Sequence, residues 1–181
     1  MYIHKSRPDL TFNVAQLLRE EIGARRSYTF TESRLSLDET MAMTDLSGKV
    51  RFTRTASGVL ADAEVSGTIE MECTRCLTPT PQHVQVAFRD EFHAKVEVNT
   101  GLALPKPDEE DPFFINELHM LDLGEAIREY GLMALPMRPL CMPECLGICP
   151  TCGADRNTEP CNCQETAGDD RFAALRALLN E

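Results

Sequence analysis

The sequence predicts an α+β protein. It consists of an antiparallel β-sheet in an open-barrel or sandwich-like arrangement, with a few short helices and a cysteine-rich C-terminal zinc segment. Three observations lead to this fold class. Long stretches in the middle of the chain alternate apolar and polar residues with a period of two. Shorter stretches on either side have the helical period, and all eight cysteines stand in close groups.

The first predicted element is a short helix over residues 13–22. Gly23 follows it as a stop signal. Its apolar residues fall on one helical face: Val14, Leu17, Leu18 and Ile22.

Three predicted strands follow. Residues 46–52 alternate, and a turn at Ser57-Gly58 leads into a second strand with fifteen alternating positions. Because a strand this long usually bends, we place a bend at Gly67. A third strand covers residues 84–98, with His93 among the residues that face water. One buried face on each strand predicts an antiparallel sheet. The inward residues of the second strand are Val59, Ala61, Ala63, Val65, Gly67, Ile69, Met71 and Cys73.

A proline-rich loop with the acidic run 108–111 separates these strands from a second helix. Asp122 is a suitable N-cap for that helix, with Glu125 completing a capping box, and Pro136 ends it. A last helix begins at Asp169 or Asp170. These elements predict an α+β core over residues 1–140 and a cysteine-rich segment with a C-terminal helix over residues 141–181.

The composition is that of an ordinary globular protein, with 43% hydrophobic and 26% charged residues. The sequence shows no targeting segment and no run approaching the roughly eighteen apolar residues of a membrane span. We therefore predict a soluble cytoplasmic protein. In that reducing compartment, eight cysteines favour metal ligation over disulfide bonds.

The formal net charge of −11 is unevenly distributed. Residues 1–60 carry nine Lys and Arg against seven Asp and Glu, whereas residues 61–181 carry nine against twenty-two. This balance disfavours non-specific attraction to phosphate and suits either a basic protein partner or simple solubility. A small basic group would contact RNA only if its members converge: Arg25, Arg26, Lys49, Arg51 and Arg54.

The cysteines are the strongest functional signal. They form four close pairs: Cys73 and Cys76, Cys141 and Cys145, Cys149 and Cys152, Cys161 and Cys163. A Cys-x-x-Cys turn brings two sulfurs to two corners of the tetrahedron that Zn²⁺ prefers. The run from Cys149 to Gly153 resembles a zinc knuckle, and the pair at 161 and 163 is its natural complement. The two remaining pairs would form a second zinc site, joining the end of a strand to the segment after Pro136.

Other uses of the cysteines remain open. Cys73 and Cys76 could form a reactive dithiol, although no thioredoxin-like βαβ pattern surrounds them. A single site could use Cys145, Cys149, Cys152 and Cys161 and leave the others spare. Four thiolates suit iron as well as zinc, and we favour zinc because of the proline and glycine in the knuckle.

The sequence does not predict an enzyme. The four histidines are scattered, and the sequence has no glycine-rich phosphate loop, nucleophile elbow or His-x-x-x-His pair. A zinc ion with four cysteine ligands keeps no open position for water or substrate. The predicted zinc sites are therefore structural, and no small-molecule substrate is evident.

Several motifs resemble the YceD family, a family first catalogued as a domain of unknown function. They include the stretch 12–18, Cys73-Thr74-Arg75-Cys76-Leu77, residues 122–125 and 135–141, and above all residues 145–157, which run from Cys145 to Asn157. A final match covers residues 170–175. The resemblance therefore extends over most of the chain, and the cysteine-bearing motifs are its most specific part.

The resemblance implies a role in the accumulation of large-subunit ribosomal RNA, through its synthesis, processing or stability. It also implies a gene often found beside that of a small zinc-binding ribosomal protein of the large subunit. Some members of the family lack the segment with Cys149, Cys152, Cys161 and Cys163 but keep counterparts of Cys73, Cys76 and Cys145. That difference is consistent with two separate sites.

The leading hypothesis is a ribosome-assembly factor that holds a basic large-subunit ribosomal protein or an rRNA–protein assembly intermediate. Alternatives are a zinc-handling or redox-sensing protein and a nucleic-acid-binding zinc module. The last is disfavoured because Arg156 is the only basic residue between Cys141 and Cys163.

Overall fold

The computed structural model describes residues 10–107, 113–159 and 161–163. The predicted acidic run 108–111 and the predicted last helix lie outside the described residues. The elements, in chain order, are β1 (Thr11–Asn13), α1 (Ala15–Leu18), β2 (Arg25–Ser36), β3 (Ala42–Arg54), β4 (Gly58–Glu72), β5 (Pro79–Ala94), β6 (Phe113–Ile115), β7 (Met120–Asp122) and α2 (Gly124–Met133). Within this described part, no helix is both long and apolar enough to cross a membrane.

All described strands belong to one mixed sheet in the order β1-β7-β6-β5-β4-β3-β2. The predicted antiparallel arrangement is found for β2 with β3, β3 with β4, β6 with β7, and β1 with β7. It is wrong for β5 and β6, which run parallel, with Phe92 opposite Phe113. The chain between these two strands is too long for a hairpin, and a parallel pair requires such a connection of a dozen or more residues.

The sheet curls so that its two outer strands approach each other. Phe12 in β1 lies 5.3 Å, between ring centroids, from Tyr28 in β2, and these strands are the two ends of the strand order. Phe12 also lies 5.3 Å from Phe52 in β3. The fold is therefore a single curled sheet with a few short helices, closer to the predicted open barrel than to two packed sheets.

The long alternation in β4 is confirmed. Its inward residues from Val59 to Ile69 are buried, and they pack with Val50 and Phe52 of β3 in the main hydrophobic core. At Gly67, where we predicted a bend, the register with β3 shifts: Asp45 and Leu46 together face this one residue. Such a two-against-one arrangement is a β-bulge, which increases local strand twist.

Three local predictions are wrong. The first helix is only four residues long, and Ile22 is 70% exposed instead of lying on its buried face. The capping box does not form: the Asp122 carboxylate accepts a hydrogen bond from Gly124 N–H at 2.8 Å, while Glu125 pairs with Arg128. His93, predicted to face water, is buried where β5 pairs with β6, at the position opposite Phe114.

The described chain forms two compact units. One contains the described residues up to Met71 together with Pro81–Met137, which includes most of the sheet and both helices. The other contains Glu72–Thr80 and the described residues from Arg138 onward. The second unit holds all eight cysteines. The domain division predicted at residue 140 stays a prediction.

Candidate metal centres

The first candidate centre, site 1, consists of Cys73, Cys76, Cys141 and Cys145. Their four Sγ atoms lie within 4.8 Å of one another. The sulfur of Cys73 is 3.8 Å from that of Cys145, and the sulfur of Cys76 is 3.5 Å from that of Cys141. Three of the four residues are buried, and Cys141 is half-buried.

Site 1 joins two distant stretches of sequence. Cys73 and Cys76 lie in the connection between β4 and β5. Thr74 N–H donates to the Pro139 carbonyl at 2.9 Å, which holds this connection beside the chain that leads to Cys141. The Arg75 guanidinium donates to the carbonyl of Cys145 at 2.7 Å. These bonds hold the two cysteine pairs against each other.

The second candidate centre, site 2, consists of Cys149, Cys152, Cys161 and Cys163, and its four Sγ atoms also lie within 4.8 Å of one another. Cys149 is buried, Cys161 and Cys163 are half-buried, and Cys152 is exposed. An antiparallel bridge between Ile148 and Asp155 folds the chain back after the first pair. Site 2 therefore lies closer to solvent than site 1.

The two Cys-x-x-Cys turns have the same local structure. Leu77 N–H donates to the Cys73 carbonyl at 2.9 Å, and Gly153 N–H donates to the Cys149 carbonyl at the same distance. The residue after the second cysteine is left-handed in both turns, with φ of 62° at Leu77 and 76° at Gly153. Both turns thus have the backbone geometry expected of a zinc knuckle, although only the second has the expected glycine.

Backbone donors favour the thiolate form of the first cysteine in each turn. Burial alone would raise the pKa of Cys73, but N–H groups of Cys76, Arg75 and Cys141 lower that pKa to about 6. The N–H groups of Cys152 and Thr151 lower the pKa of Cys149 to about 5. Thiolate is the form that binds metal.

The other sulfurs show the electrostatic cost of crowding four thiols together. Burial and the neighbouring thiols of Cys76 and Cys145 raise the pKa of Cys141 to about 12. The Cys152 thiol, with burial, raises the pKa of Cys163 to about 12. Four thiolates in one group therefore require a cation among them, and a divalent metal supplies that charge.

Both groups fit a tetrahedral zinc ion. With Zn–S bonds of about 2.3 Å, the sulfurs of a regular tetrahedron lie about 3.8 Å apart. Two S–S distances in site 1, of 3.8 and 3.5 Å, match this value. Four cysteines would complete the coordination of such an ion and leave it no position for substrate.

The structure brings together all eight predicted ligands in the predicted partition. The alternative single group of Cys145, Cys149, Cys152 and Cys161 is not found, because Cys145 groups with site 1. Among the described residues, no histidine joins either group. Arg75, Arg156 and Asn157 each donate to the carbonyl or sulfur of a cysteine. No sequence pattern predicted these roles, because hydrogen-bond partners leave no regular spacing.

The predicted basic group does not form a free cationic surface. Lys49 pairs with Glu64 at 3.0 Å across β3 and β4, and Arg51 pairs with Asp62 on the same strands. Arg26 pairs with Glu20, and Arg54 donates to the Leu18 carbonyl at 3.2 Å. Four of the five predicted basic residues are thus engaged within the protein.

Replacing Leu77 by glycine is expected to stabilise the protein by about 0.5–1 kcal/mol. A left-handed backbone costs a residue with a side chain about 1–2 kcal/mol relative to glycine, and glycine's greater freedom in the unfolded chain offsets about 0.5–1 kcal/mol of this cost. Leu77 is 57% exposed, so little packing is lost. Thermal unfolding would measure the gain. Leu77→Ala is the control, because it removes the same side chain but keeps the strain, and equal melting temperatures for the two variants would contradict the explanation.

Comparisons with known proteins give one family model and several relatives for this chain. A family model described as "Large ribosomal RNA subunit accumulation protein YceD" matches residues 61–179. An uncharacterized protein of Mycobacterium tuberculosis is 33% identical over 130 residues, which cover 72% of this chain and 60% of that protein. A Zea mays protein called large ribosomal RNA subunit accumulation protein YCED homolog 1, chloroplastic, is 27% identical over 154 residues, covering 71% of this chain and 53% of that protein.

These matches extend over only part of the relatives. A further uncharacterized protein, from Mycobacterium leprae, is 30% identical over 114 residues, which cover 61% of this chain and 49% of that protein. The chain thus spans about half to 60% of the length of the curated relatives named here. No solved structure matches the chain.

Proposed function

Since the chain belongs to the YceD family of large ribosomal RNA subunit accumulation proteins, we propose that it is a non-enzymatic, zinc-binding factor in the biogenesis of the large ribosomal subunit. In this role it supports the accumulation of large-subunit ribosomal RNA, through RNA synthesis, processing or stability. The observation that carries the proposal is the family match, which includes all eight grouped cysteines because they lie within residues 61–179.

The zinc ions are proposed to be structural. Each group offers four sulfurs, and an ion with four protein ligands has no vacant position from which to activate water or polarise a substrate. The described residues of the second unit include no long helix or strand, and their buried cluster consists of cysteines, so metal bonds would take the place of an apolar core there. The lack of enzymatic activity is part of the proposal.

The proposed partner is a basic ribosomal protein of the large subunit, alone or within an rRNA–protein intermediate. The net charge of −11 favours a basic partner electrostatically. The pairing of Lys49 with Glu64 and of Arg51 with Asp62 makes these cations less available for phosphate. The proposal therefore favours contact with a basic protein over direct contact with RNA. A cytoplasmic location remains a prediction.

Depleting the protein from cells is expected to cause a selective deficit of large ribosomal subunits and their RNA. Sucrose-gradient profiles with quantification of both ribosomal RNAs would measure it. Re-expression of the unchanged protein or of Thr151→Ala should restore the profile, whereas Cys149→Ser should not, because it removes a ligand of site 2. A normal profile at normal growth after depletion would contradict the proposed role.

A zinc-handling or redox-sensing function is the second candidate. One observation favours it: Cys152 is exposed although it belongs to a four-sulfur group. Oxidants attack solvent-accessible thiolates in preference to buried thiols. Loss of one metal ion per chain on mild oxidation, together with a normal ribosome profile after depletion, would favour this function over ribosome biogenesis.

A further inference from the structure

The side chain of Asn157 links the two candidate metal centres: it belongs to the loop of site 2 and contacts a ligand of site 1. Its Nδ2 group lies 3.4 Å from the sulfur of Cys145 and donates to it. Its Oδ1 atom accepts the backbone N–H of Leu146 at 2.8 Å. The amide thus binds both the thiol of the last site 1 ligand and the peptide group that follows it.

Asn157 is itself held in place. Its Nδ2 and backbone N–H groups both donate to Oδ1 of Asp155, at 2.6 and 2.9 Å. Thr158 and Glu159 donate their backbone N–H groups to the Asp155 carbonyl, so the chain forms a tight turn around Asn157. The orientation of the amide is chemically determined, because the Leu146 N–H requires an oxygen opposite it and the other end then presents its donor to sulfur.

The position of this turn depends on site 2. The turn lies between the two ligand pairs of site 2, with Cys149 and Cys152 before it and Cys161 and Cys163 after it. It is also bonded to the segment between the two sites, since Arg156 N–H donates to the Gly147 carbonyl at 2.9 Å. Metal bonds at both ends of the turn would fix Asn157 against Cys145.

The segment from Cys145 to Cys149 connects the sites directly. It begins with the last ligand of site 1 and ends with the first ligand of site 2. Ile148 N–H donates to the Arg75 carbonyl at 3.0 Å, and Arg75 lies inside the site 1 knuckle. Moving either centre would therefore disturb hydrogen bonds that hold the other centre in place.

We propose that Asn157 is a positioning residue that couples the two metal centres, so that metal in site 2 holds the Asn157 amide against Cys145 and slows the release of metal from site 1. Groups that donate to a ligand atom orient it and tune its basicity, and their loss typically costs about 10–100-fold in metal affinity. The coupling is reciprocal at equilibrium, so metal in site 1 also favours metal in site 2. This inference rests on the zinc-binding part of the proposed function.

The test is the kinetics of zinc release from the full chain to excess chelator, followed with a colorimetric zinc indicator. The unchanged protein should release two ions per chain in separable phases, and the phase missing from Cys141→Ser belongs to site 1. Asn157→Asp keeps the acceptor for Leu146 but loses both bonds that Nδ2 donates, to the Cys145 sulfur and to Asp155, and it adds a negative charge beside them. In this variant the site 1 phase should be at least about 10–100-fold faster. Thr158→Ala, a change in the same turn, is the matched control and should release zinc at the original rate.

A double-mutant comparison isolates the coupling. The double variant Cys161→Ser with Cys163→Ser removes site 2 and should release its remaining ion about as fast as Asn157→Asp releases the site 1 ion. Adding Asn157→Asp to that variant should then change the rate less than about twofold, because two changes that break one connection are not additive.

The outcomes separate the two claims. The coupling would be overturned if Asn157→Asp binds two ions and releases the site 1 ion at the original rate. It would also be overturned if the rate increases of the single variants multiply in the combined variant. Either result leaves zinc binding intact. A chain that binds no zinc at all would overturn the zinc-binding proposal itself.

Discussion

Replacing Cys73 by serine is expected to remove one of two zinc ions and to unfold much of the second unit. Cys73 has no exposed surface, and its sulfur receives backbone N–H groups from Cys76, Arg75 and Cys141. A structural zinc site contributes about 10–16 kcal/mol of apparent binding free energy near neutral pH, whereas a whole domain is stable by only about 5–15 kcal/mol. A serine hydroxyl does not replace a thiolate as a zinc ligand and would be buried among sulfurs.

Metal content by inductively coupled plasma mass spectrometry and the melting temperature measure this effect. We expect two ions per chain in the unchanged protein and one or fewer in Cys73→Ser, with a clear loss of stability. Thr74→Ser is the matched control, because it lies next to Cys73 and keeps the hydroxyl that donates to the Pro139 carbonyl. Two ions and an unchanged melting temperature in Cys73→Ser would contradict a structural metal at site 1.

Replacing Gly58 by alanine is expected to destabilise the sheet by about 3 kcal/mol, at the upper end of the cost of overpacking. A Cβ atom at Gly58 would lie 1.9 Å from the carbonyl oxygen of Phe92 and 3.0 Å from the Cα atom of His93. Both are backbone atoms, so no side chain can rotate to make room. Gly58 also takes part in the turn before β4, where Thr55 N–H donates to its carbonyl at 3.1 Å.

Chemical or thermal unfolding measures this prediction, which corresponds to a fall in melting temperature of about 6–12 °C for a protein of this size. Gly101→Ala is the control. Gly101 has a left-handed φ of 71° but no atom within 4 Å of an added Cβ, so its substitution should cost only about 1 kcal/mol. A loss at Gly58 no larger than that at Gly101 would show that β4 and β5 separate easily at this point.

The strands were predictable where the buried face alternates without interruption. In β4 the apolar positions recur at every second residue, and period two directly reports which side faces the core. β2 was not predicted, because as an outer strand of the sheet it is half-exposed and rich in polar residues, with only Tyr28, Phe30 and Leu35 as apolar signals. The three-residue strands β1, β6 and β7 are too short to show any period.

The first predicted helix failed for a related reason. Val14, Leu17 and Leu18 are buried as expected, but a single helical turn is enough to bury them. Ile22 extended the apolar pattern by chance, since the chain has already left the helix and turns at Gly23, where φ is 95°. A short apolar pattern identifies buried residues more securely than it identifies the length of a helix.

By itself, the sequence determined the eight candidate ligands as four close pairs, and the inward face of the longest strand. These properties are local: a Cys-x-x-Cys turn places two sulfurs together wherever it occurs, and alternation sorts side chains within one strand. Only the tertiary structure decided that β6 runs parallel to β5, that the cations of β3 pair with carboxylates of β4, and that Asn157 reaches Cys145. Those contacts join residues far apart in the chain or depend on backbone direction, and neither spacing nor periodicity encodes which distant donor will meet which acceptor.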